Sequence, residues 1–465
     1  MPQTAGITPL TFARTHIQEF ERDLCEWLRI PSISMLPAYR SDVERAARWV
    51  VDHLRAIGMD SRLVSGKGHP LAYGEWLGAP GRPTVLAYGH YDVQPADPLD
   101  LWTAPPFEPS RRGGSLYARG AADNKGPIFT FLKAVECYLA IGTPLPVNVK
   151  VLVEGEEECG GGVVASFLRS DPERVHADAA LVLDSGMFAP GVPAITLGLR
   201  GIVSAEVEVS GPGRDLHSGL YGGVTINPFL VLAEILTGLI DPQGRILIPH
   251  FYDRVAPPEP EERAAWSRLP FDEADSVQNE VGAPLVGEPG FTVLERLWAR
   301  PTLDVHGMPG GFTGEGIKTV IPARAAAKIS MRLVPHQEPE EIYELFEAHV
   351  RRLAPPGARV GVRPLGSAPP VLIDPRAPAV EAARAALTET FDREAVLIRS
   401  GATVPIVADL ATQLRIPTVV TGWSLPDAGW HSPNEKLDLN HFRLGIEALI
   451  RFLARFGALN VTHSS

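Results

Sequence analysis

The sequence predicts an α/β protein with helices on both faces of a mixed central sheet and with an inserted α+β domain. The predicted strands at 84–92, 147–158 and 177–186 are largely apolar without alternation, as is typical of strands buried on both faces. Helical patterns such as 126–142 separate them, which indicates a sheet covered on both sides. After about residue 199 the strands alternate apolar and polar residues, which indicates burial of one face only.

The order of these patterns predicts two domains, because 465 residues exceed the length of one ordinary core. A discontinuous α/β domain would comprise 1–199 and 372–465, and an inserted α+β domain would comprise 200–371. The first part begins with helices at 12–30 and 45–57. The inserted part contains strands at 201–211, 325–335 and 355–370 and helices at 227–240 and 339–354. The last part contains helices at 377–391 and 440–457 and a strand at 416–422.

Composition narrows the classes of partner. The net charge is −12 and no basic run occurs, which argues against nucleic acid as a partner. The first 20 residues lack the pattern of a signal peptide, and no apolar run reaches membrane-spanning length. The three cysteines, Cys25, Cys137 and Cys159, are widely spaced and predict no disulfide framework. These features predict a cytoplasmic protein that does not bind membranes.

Imidazoles and carboxylates follow the predicted strands. His90 follows the first strand, Asp123 precedes a helix, Asp184 follows another strand, and His431 lies in a late loop. Each alone has an ordinary explanation, such as a helix cap or a solvated loop side chain. Together, at one edge of one sheet, they predict a metal site. Two histidines and three or four acids exceed the needs of one tetrahedral zinc, so we predict two ions about 3.5–4 Å apart.

The stretch "VEGEEECGGG" at 153–162 crowds four glutamates into five positions. The residues alone leave open which of these glutamates acts at the metal site. Regular strand geometry would send residues 157 and 158 to opposite sides. Both reach one site only if the strand ends there, which the glycines at 160–162 favour.

Asp92 lies two residues after His90, so both side chains point to the same side of an extended chain. Asp92 could therefore hold the ring of His90 through the nitrogen that does not bind metal. Signatures of other chemistries, such as GxxxxGK[ST], GxGxxG, HExxH and GxSxG, are absent from the sequence.

Six segments in this order resemble the M20 metallopeptidases, and in particular their cytosolic non-specific and carnosine-type dipeptidases. The segments are "GHYDVQP", "ARGAADNKGP", "EGEEECG", "DLHSGLYGG", "KTVIPARAAAKISMRLVP" and "HSPNEK", and the resemblance covers roughly residues 15–455. It implies a zinc-peptidase-like catalytic domain, a lid domain that forms a homodimer, and two divalent ions per subunit. Zinc is the expected metal, with manganese or cobalt as alternatives.

The resemblance also implies a role for each site residue. Asp123 would bridge the ions, and a cis peptide bond would join it to Asn124. Glu157 would be the general base, taking a proton from a metal-activated water and passing it to the leaving amine. Asp92 would orient His90. The remaining ligands would be His90 and Asp184 at one ion, and Glu158 and His431 at the other. With Glu157 and Glu158 assigned in this way, we expect Glu156 to point into solvent or to an outer contact, and Glu154 has no assigned role.

In the lid domain the resemblance implies three substrate contacts. His217 would reach the active site of the partner subunit and stabilise the developing oxyanion, and Thr319 would also come from the partner. Arg332 would bind the substrate carboxylate, for which a guanidinium is well shaped. From the residues alone, His217 reads equally as a turn residue beside Gly219, and Arg332 as a solvent-facing strand residue.

One loop departs from the family. The family often has Arg-Glu-Gly-Gly-Ser-Ile-Pro where this chain has "RSGATVP" at 399–405. Ser400 stands in place of an acid, and Ala402 and Thr403 replace Gly and Ser. The departure removes no metal ligand, but it leaves the preference for substrate side chains open.

We therefore predict a di-metal dipeptidase that cleaves dipeptides with a free C-terminal carboxylate. An N-acyl-amino-acid amidohydrolase would share every ligand and remains the alternative. A non-catalytic binding protein on the same scaffold would lack a ligand or the base, and none is missing. A carbohydrate or phosphate hydrolase could also use two metals, but the sequence offers no basic phosphate cradle.

Overall fold

A computed structural model describes residues 6–273, 277–278 and 281–459. The chain forms two compact units. The first comprises 1–197, 373–398 and 409–465, and the second comprises 198–372 and 399–408. The predicted domain boundaries lie within two residues of the first two of these transitions. The segment 399–408, which the prediction placed in the catalytic domain, belongs instead to the second unit, and residues 1–5 and 460–465 lie outside the described residues.

A six-stranded mixed sheet forms the centre of the first unit. Its strand order is β1-β2-β6-β3-β7-β17, in which β6, β3, β7 and β17 are parallel and β2 pairs antiparallel with both β1 and β6. The predicted α/β class with a mixed sheet is confirmed. The strands are β1 (Asp60–Val64), β2 (Leu71–Trp76), β3 (Thr84–His90), β6 (Asn148–Glu154), β7 (Ala179–Val182) and β17 (Thr418–Val420).

Helices pack around this sheet. The apolar sequence of α3 (Lys125–Ala140) is buried along most of its length, and α3 contacts α1 (Pro9–Leu28), α13 (Leu439–Gly457) and β3. It begins two residues after Asp123, so its position fixes where that loop ends. The other helices of the unit are α2 (Arg40–Ala56), α4 (Val163–Ser170), α5 (Pro172–Val175) and α11 (Pro378–Phe391).

A four-stranded antiparallel sheet forms the second unit, in the order β11-β13-β9-β14. Residues of β9 alternate between buried and half-buried, as the sequence predicts for a strand with one apolar face. That face packs with α7 and α10 into a core that includes Val207, Ile329 and Phe346. The elements are β9 (Gly201–Ser210), β11 (Thr302–Gly307), β13 (Arg324–Leu333), β14 (Arg359–Ala368), α7 (Pro228–Thr237) and α10 (Pro339–Leu353).

The remaining elements are short. A two-stranded ribbon pairs β10 (Leu216–His217) with β12 (Val320–Ile321). The others are β4 (Ser110–Arg112), β5 (Ser115–Tyr117), β8 (Ala194–Leu199), β15 (Val371–Leu372), β16 (Val396–Ser400), β18 (Lys436–Asp438), α6 (Ser218–Tyr221), α8 (Pro260–Trp266), α9 (Val293–Trp298) and α12 (Pro405–Ala408). Within the described ranges, no helix combines the length and apolar character that crossing a membrane requires.

Candidate active site

The carboxyl ends of the parallel strands bring the predicted residues together. His90 is the last residue of β3 and pairs in register with Glu154, the last residue of β6. Asp184 follows the end of β7 by two residues. Because parallel strands end at the same edge of a sheet, the loops that follow them share one site.

Asp123 lies at the centre of this site, with one carboxylate oxygen toward each of two groups of side chains. Its Oδ1 lies 3.1 Å from His90 Nε2, which lies 3.9 Å from Asp184 Oδ1. Its Oδ2 lies 3.1 Å from His431 Nε2, which lies 3.3 Å from Glu158 Oε2. A carboxylate that divides its oxygens in this way is suited to bridge two cations. The peptide bond between Asp123 and Asn124 is cis, as expected.

The charges of the site suit divalent cations. In the described part of the chain, no Lys or Arg forms an ion pair with Asp123, Glu158 or Asp184. Hydrogen bonds to Asp123 and Glu158 raise the pKa of His431 to about 10, which shows that these carboxylates favour a positive charge at this position. Burial, with neighbouring Asp123 and Glu158 charge, raises the pKa of Asp184 to about 6, although His90 opposes this. Carboxylate oxygens and imidazole nitrogens that are not paired with Lys or Arg are suitable ligands for metal ions such as Zn²⁺.

Glu157 begins a 3₁₀ turn, Glu157–Cys159, directly beside this centre. Burial raises the pKa of its carboxyl group to about 8. His90 acts in the opposite direction, and the charges of Asp184 and Glu158 add to the rise. A carboxyl group with such a pKa can exchange a proton near neutral pH.

Asp92 is buried beside His90 and connects it to the Glu158 backbone. The Nδ1 of His90 lies 3.0 Å from the carbonyl oxygen of Asp92 and 3.4 Å from its Oδ1. The Oδ2 of Asp92 accepts the backbone N–H of Glu158 at 3.1 Å. The side chain is thus placed to set the orientation of the His90 ring, although the closer contact comes from the backbone carbonyl.

The acidic stretch leaves strand geometry after Glu154, as predicted, because β6 ends there and a 3₁₀ turn follows. Gly160 ends that turn with a φ of 69°, a left-handed conformation that favours glycine. Glu154 is buried and accepts the hydroxyl hydrogen of Tyr88 at 2.8 Å. Burial raises its pKa to about 8.

The prediction that Glu156 could point into solvent is wrong, since its side chain is buried. Its carboxylate accepts the backbone N–H of His69 at 2.8 Å and that of Val163 at 3.3 Å. These contacts link the loop before β2 to the first turn of α4. The sequence of the acidic stretch does not indicate that Glu156 binds backbone groups of other segments.

Two residues that the sequence analysis did not assign hold the centre in place. The carboxylate of the fully buried Glu435 accepts the backbone N–H groups of Gly120, Ala122 and Asp123 at 2.8–2.9 Å. It also pairs with Arg119 at 2.8 Å. The loop before Asp123 therefore wraps around one carboxylate that comes four residues after His431.

Asn124 is the second unassigned residue. Its Oδ1 accepts the backbone N–H of His90 at 3.1 Å. Its Nδ2 donates to the carbonyl oxygen of Leu183 at 2.6 Å and to Asp184 Oδ1 at 3.2 Å. Both residues belong to the segments quoted above for the family resemblance, but only the fold shows their partners.

The predicted substrate residues lie in the second unit. His217 is exposed, and its Nδ1 accepts the N–H of Gly219 at 3.0 Å. Thr319 is exposed and adjacent, because its carbonyl accepts the N–H of Ser218 at 3.1 Å. Arg332 is half-buried near the end of β13, where its Nη1 donates to Thr403 Oγ1 at 2.6 Å. The structure therefore places His217 beside Thr319, and Arg332 against the departing loop 399–405.

Comparisons with known proteins agree in family and fold. Residues 86–455 match the profile of a family described as "Peptidase family M20/M25/M40". A Cys-Gly metallodipeptidase of Schizosaccharomyces pombe is 31% identical, with 95% of this chain and 96% of that protein covered. The Beta-Ala-His dipeptidase of Homo sapiens is 31% identical, with coverages of 96% and 91%.

Among solved structures, an M20 family metallo-carboxypeptidase of Sulfolobus solfataricus superposes with a TM-score of 0.85 at 30% identity. The match covers 95% of this chain and 100% of that one. The likeness therefore includes both units of the chain.

Proposed function

The chain belongs to peptidase family M20/M25/M40, and from this premise we propose that it is a metal-dependent dipeptidase. Its substrates would be dipeptides with a free C-terminal carboxylate. The observation that carries the proposal is the division of Asp123 between two groups of metal-binding side chains, 3.1 Å from a histidine of each group. The names of relatives, two of them dipeptidases, support the substrate class.

The ligand set proposed here follows that division. His90 and Asp184 would hold one ion, Glu158 and His431 the other, and Asp123 both. Zinc suits two imidazoles and three carboxylates, and manganese or cobalt could replace it. Bound ions would supply Lewis-acid activation of a water molecule and of the scissile carbonyl.

The chain's own residues would move the proton. Glu157 would accept it from the attacking water and donate it to the nitrogen of the leaving amine. Its raised pKa, about 8, supports this role because the carboxyl group can then both take and release a proton near neutral pH. Asp92 would keep the His90 ring turned toward its ligand position.

Substrate recognition would come from the second unit. Arg332 would bind the carboxylate and Thr319 would add a contact from the partner subunit. Since Nδ1 of His217 accepts the Gly219 N–H, a neutral His217 ring carries its proton on Nε2. An exposed N–H donor of this kind supports the proposed role of His217 in stabilising an oxyanion.

A homodimer through the second unit belongs to the same proposal. Large apolar side chains are exposed in segments 220–230 and 312–317, next to the ribbon that carries His217 and Thr319. Exposed apolar side chains support an interface here, because apolar surface that forms a contiguous patch often marks protein interfaces. These residues, with their exposed fractions, are Leu220 (75%), Val224 (77%), Leu230 (70%), Phe312 (45%) and Ile317 (93%). A cytoplasmic location stays a prediction.

The N-acyl-amino-acid amidohydrolase remains a second candidate, because Ser400 stands where the family often has an acid. A free α-amine is a cation that an acid would recognise. The Ser400 hydroxyl group accepts the N–H of Ala402 at 3.1 Å and so serves the loop itself. An uncharged N-acyl group would need no such acid.

One set of assays tests both candidates. Purified protein is analysed for bound metal and then assayed with dipeptides, tripeptides and N-acetyl amino acids. We expect dipeptide hydrolysis that chelation abolishes and that Glu157→Gln lowers by about 10²–10⁴-fold, the range that general acid–base catalysis contributes. The matched control is Glu389→Gln, an exposed acid on α11 paired with Arg451 and Arg455. Cleavage of N-acetyl amino acids alone would overturn the dipeptidase proposal, and full activity of Glu157→Gln would overturn the assigned base.

A further inference from the structure

Two guanidinium groups contact the same loop of the second unit. Arg332 of β13 pairs in register with Ile202 of β9. Arg200 directly precedes β9, and its guanidinium contacts loop 399–405, as does that of Arg332. Arg332 and Ile202 share one face of the sheet. This is the polar face, opposite the core that contains Val203 and Met331.

Thr403 links the two arginines. Its hydroxyl group accepts a hydrogen bond from Arg332 Nη1 at 2.6 Å and donates to the carbonyl oxygen of Arg200 at 2.6 Å. The Arg200 guanidinium donates from Nε to the carbonyl oxygen of Gly401 at 3.0 Å and from Nη1 to that of Arg300 at 3.4 Å. Loop 399–405 therefore holds both cations close together.

Neither guanidinium has a carboxylate partner in the described part of the second unit. Neighbouring arginines do: Arg399 donates to both carboxylate oxygens of Glu262 at 2.7 and 2.5 Å, and Arg300 binds Glu288 in the same way at 2.8 Å. The charge of exposed Asp304 acts on Arg200 and Arg332, but it forms no ion pair with either.

The electrostatic consequence appears in both groups. Burial, together with the charge of Arg332, lowers the pKa of Arg200 to about 10. Burial also lowers the pKa of Arg332. Two like charges in a half-buried position are unfavourable unless an anion binds between or beside them.

We propose that Arg200 is the second cation of the site at which Arg332 binds the substrate's C-terminal carboxylate. It thereby sets how strongly the enzyme prefers a free carboxylate to a neutral C-terminus. This inference rests on the proposed function. The Nε and Nη2 groups of Arg332 make no hydrogen bond to the described residues, so this edge of the guanidinium is available for a bidentate carboxylate contact. Arg200 adds positive charge to that contact while its own hydrogen bonds keep the loop in place.

Binding of a hydrolysis-resistant ligand pair tests the proposal without turnover. The ligands are an Ala-Leu analogue with a CH₂–NH linkage and its C-terminal carboxamide, titrated calorimetrically into the zinc-loaded protein. Relative to the unmodified protein, Arg200→Gln should reduce the preference for the free acid about tenfold, as expected for loss of one charge in a partly desolvated pair. Arg200→Lys keeps the charge and should retain the preference within about threefold. The control is Arg324→Gln. Arg324 is an exposed arginine on β13, the strand that carries Arg332, and its replacement should leave the preference for the free acid unchanged.

The outcomes separate the inference from the proposed function. An unchanged preference in Arg200→Gln, or equal weakening of both ligands, would overturn the role of Arg200. If Arg200→Lys also lost the preference for the free acid, the preference would depend on the hydrogen bonds to Gly401 and Arg300 and not on the charge. This result would also contradict the inference. Failure of the unmodified protein to hydrolyse any dipeptide would instead count against the proposed function, because the binding comparison does not depend on hydrolysis.

Discussion

At the scale of single residues, Glu435 shows how the centre is built from the loop that carries His431. Its two oxygens accept hydrogen bonds from three backbone N–H groups of the loop 120–123 and from Arg119, and the Glu435 side chain is fully buried. The Asp123 N–H is one of them, so the bridging candidate is fixed through its own backbone. Outer contacts of this kind set the direction of a ligand and so influence the affinity for metal.

We predict that Glu435→Gln weakens metal binding. The NH₂ group of the amide would face N–H donors on one side, where no hydrogen bond can form. The substitution also removes the negative charge that pairs with Arg119. Affinity for divalent ions and kcat should each fall on the order of 10–100-fold, with a smaller change in KM. Competition with a chromogenic chelator and steady-state kinetics measure these quantities. Glu389→Gln serves again as control, and a Glu435→Gln enzyme with normal affinity for metal would contradict the assignment.

The sequence singles out the side chains that the structure brings together better than it singles out their supports. His90 and Asp184 lie at or after strand ends, Asp123 precedes a helix and His431 lies in a late loop, and the strand pattern predicts that such loops meet at one sheet edge. Glu435 and Glu156 look like ordinary loop acids, because their partners lie far away along the chain. Contacts across such separations are set by tertiary packing, which local pattern does not report.

At the scale of elements, strand prediction succeeded because the parallel strands are nearly continuous apolar runs. The turn at 157–159 was expected in outline from the glycines that follow it. The sequence did not predict that loop 399–408 belongs to the second unit. The loop is attached there by hydrogen bonds from Arg399 to Glu262 and from Arg332 to Thr403. These pairs join segments that share no sequence pattern.

Metal removal should loosen the acidic turn before the helices. Without ions, Glu157, Glu158 and Asp184 repel one another across one site, and the pKa of Glu157 and of Asp184 is raised for that reason as well as by burial. Amide hydrogen exchange at 155–162 should therefore accelerate at least about tenfold in the chelated protein, whereas α3 should change little. Equal exchange at 155–162 with and without metal would contradict the prediction.

The ion pairs between α1 and α13 should stabilise the protein less in acid than at neutral pH. Glu447 of α13 accepts hydrogen bonds from Arg14 of α1 at 2.6 Å and from Arg443. Burial raises the pKa of Glu447, but the two guanidinium groups outweigh burial and lower it below its usual 4.5. Because the folded-state pKa is the lower one, this stabilisation is present above about pH 4.5 and is lost as pH falls through the folded value.

Arg14→Gln should therefore destabilise the protein at pH 7 by about 0.5–1 kcal/mol, since the Arg14 side chain is largely exposed and its contribution is screened. The effect should be smaller at pH 3 than at pH 7, because the stabilisation is lost as pH falls through the lowered folded-state pKa of Glu447. Urea denaturation at both pH values, followed by tryptophan fluorescence, measures it. Arg22→Gln, an exposed position on the same helix, is the control. An effect of equal size at both pH values would show that charge is not its cause.

At the scale of the whole molecule, the two units carry different parts of the proposed reaction. The first unit holds Asp123 and Glu157, and the second holds His217 and Arg332. If His217 acts on the partner subunit's reaction, an active site is complete only in a dimer. The exposed apolar side chains beside the ribbon, such as Val224 and Ile317, are consistent with such an interface.

Mixed dimers test this division of labour. His217→Ala and Glu157→Gln chains, each nearly inactive alone, are denatured together, refolded at equal amounts and assayed. Random pairing makes half of the dimers mixed, and each mixed dimer has one site with an intact base and an intact partner histidine, so activity should reach about a quarter of the unmodified level. Each variant refolded alone is the control, and sedimentation verifies that dimers form. Mixed dimers with no more activity than the separate variants would show that His217 does not serve the partner's site, because sites within a single subunit cannot complement each other.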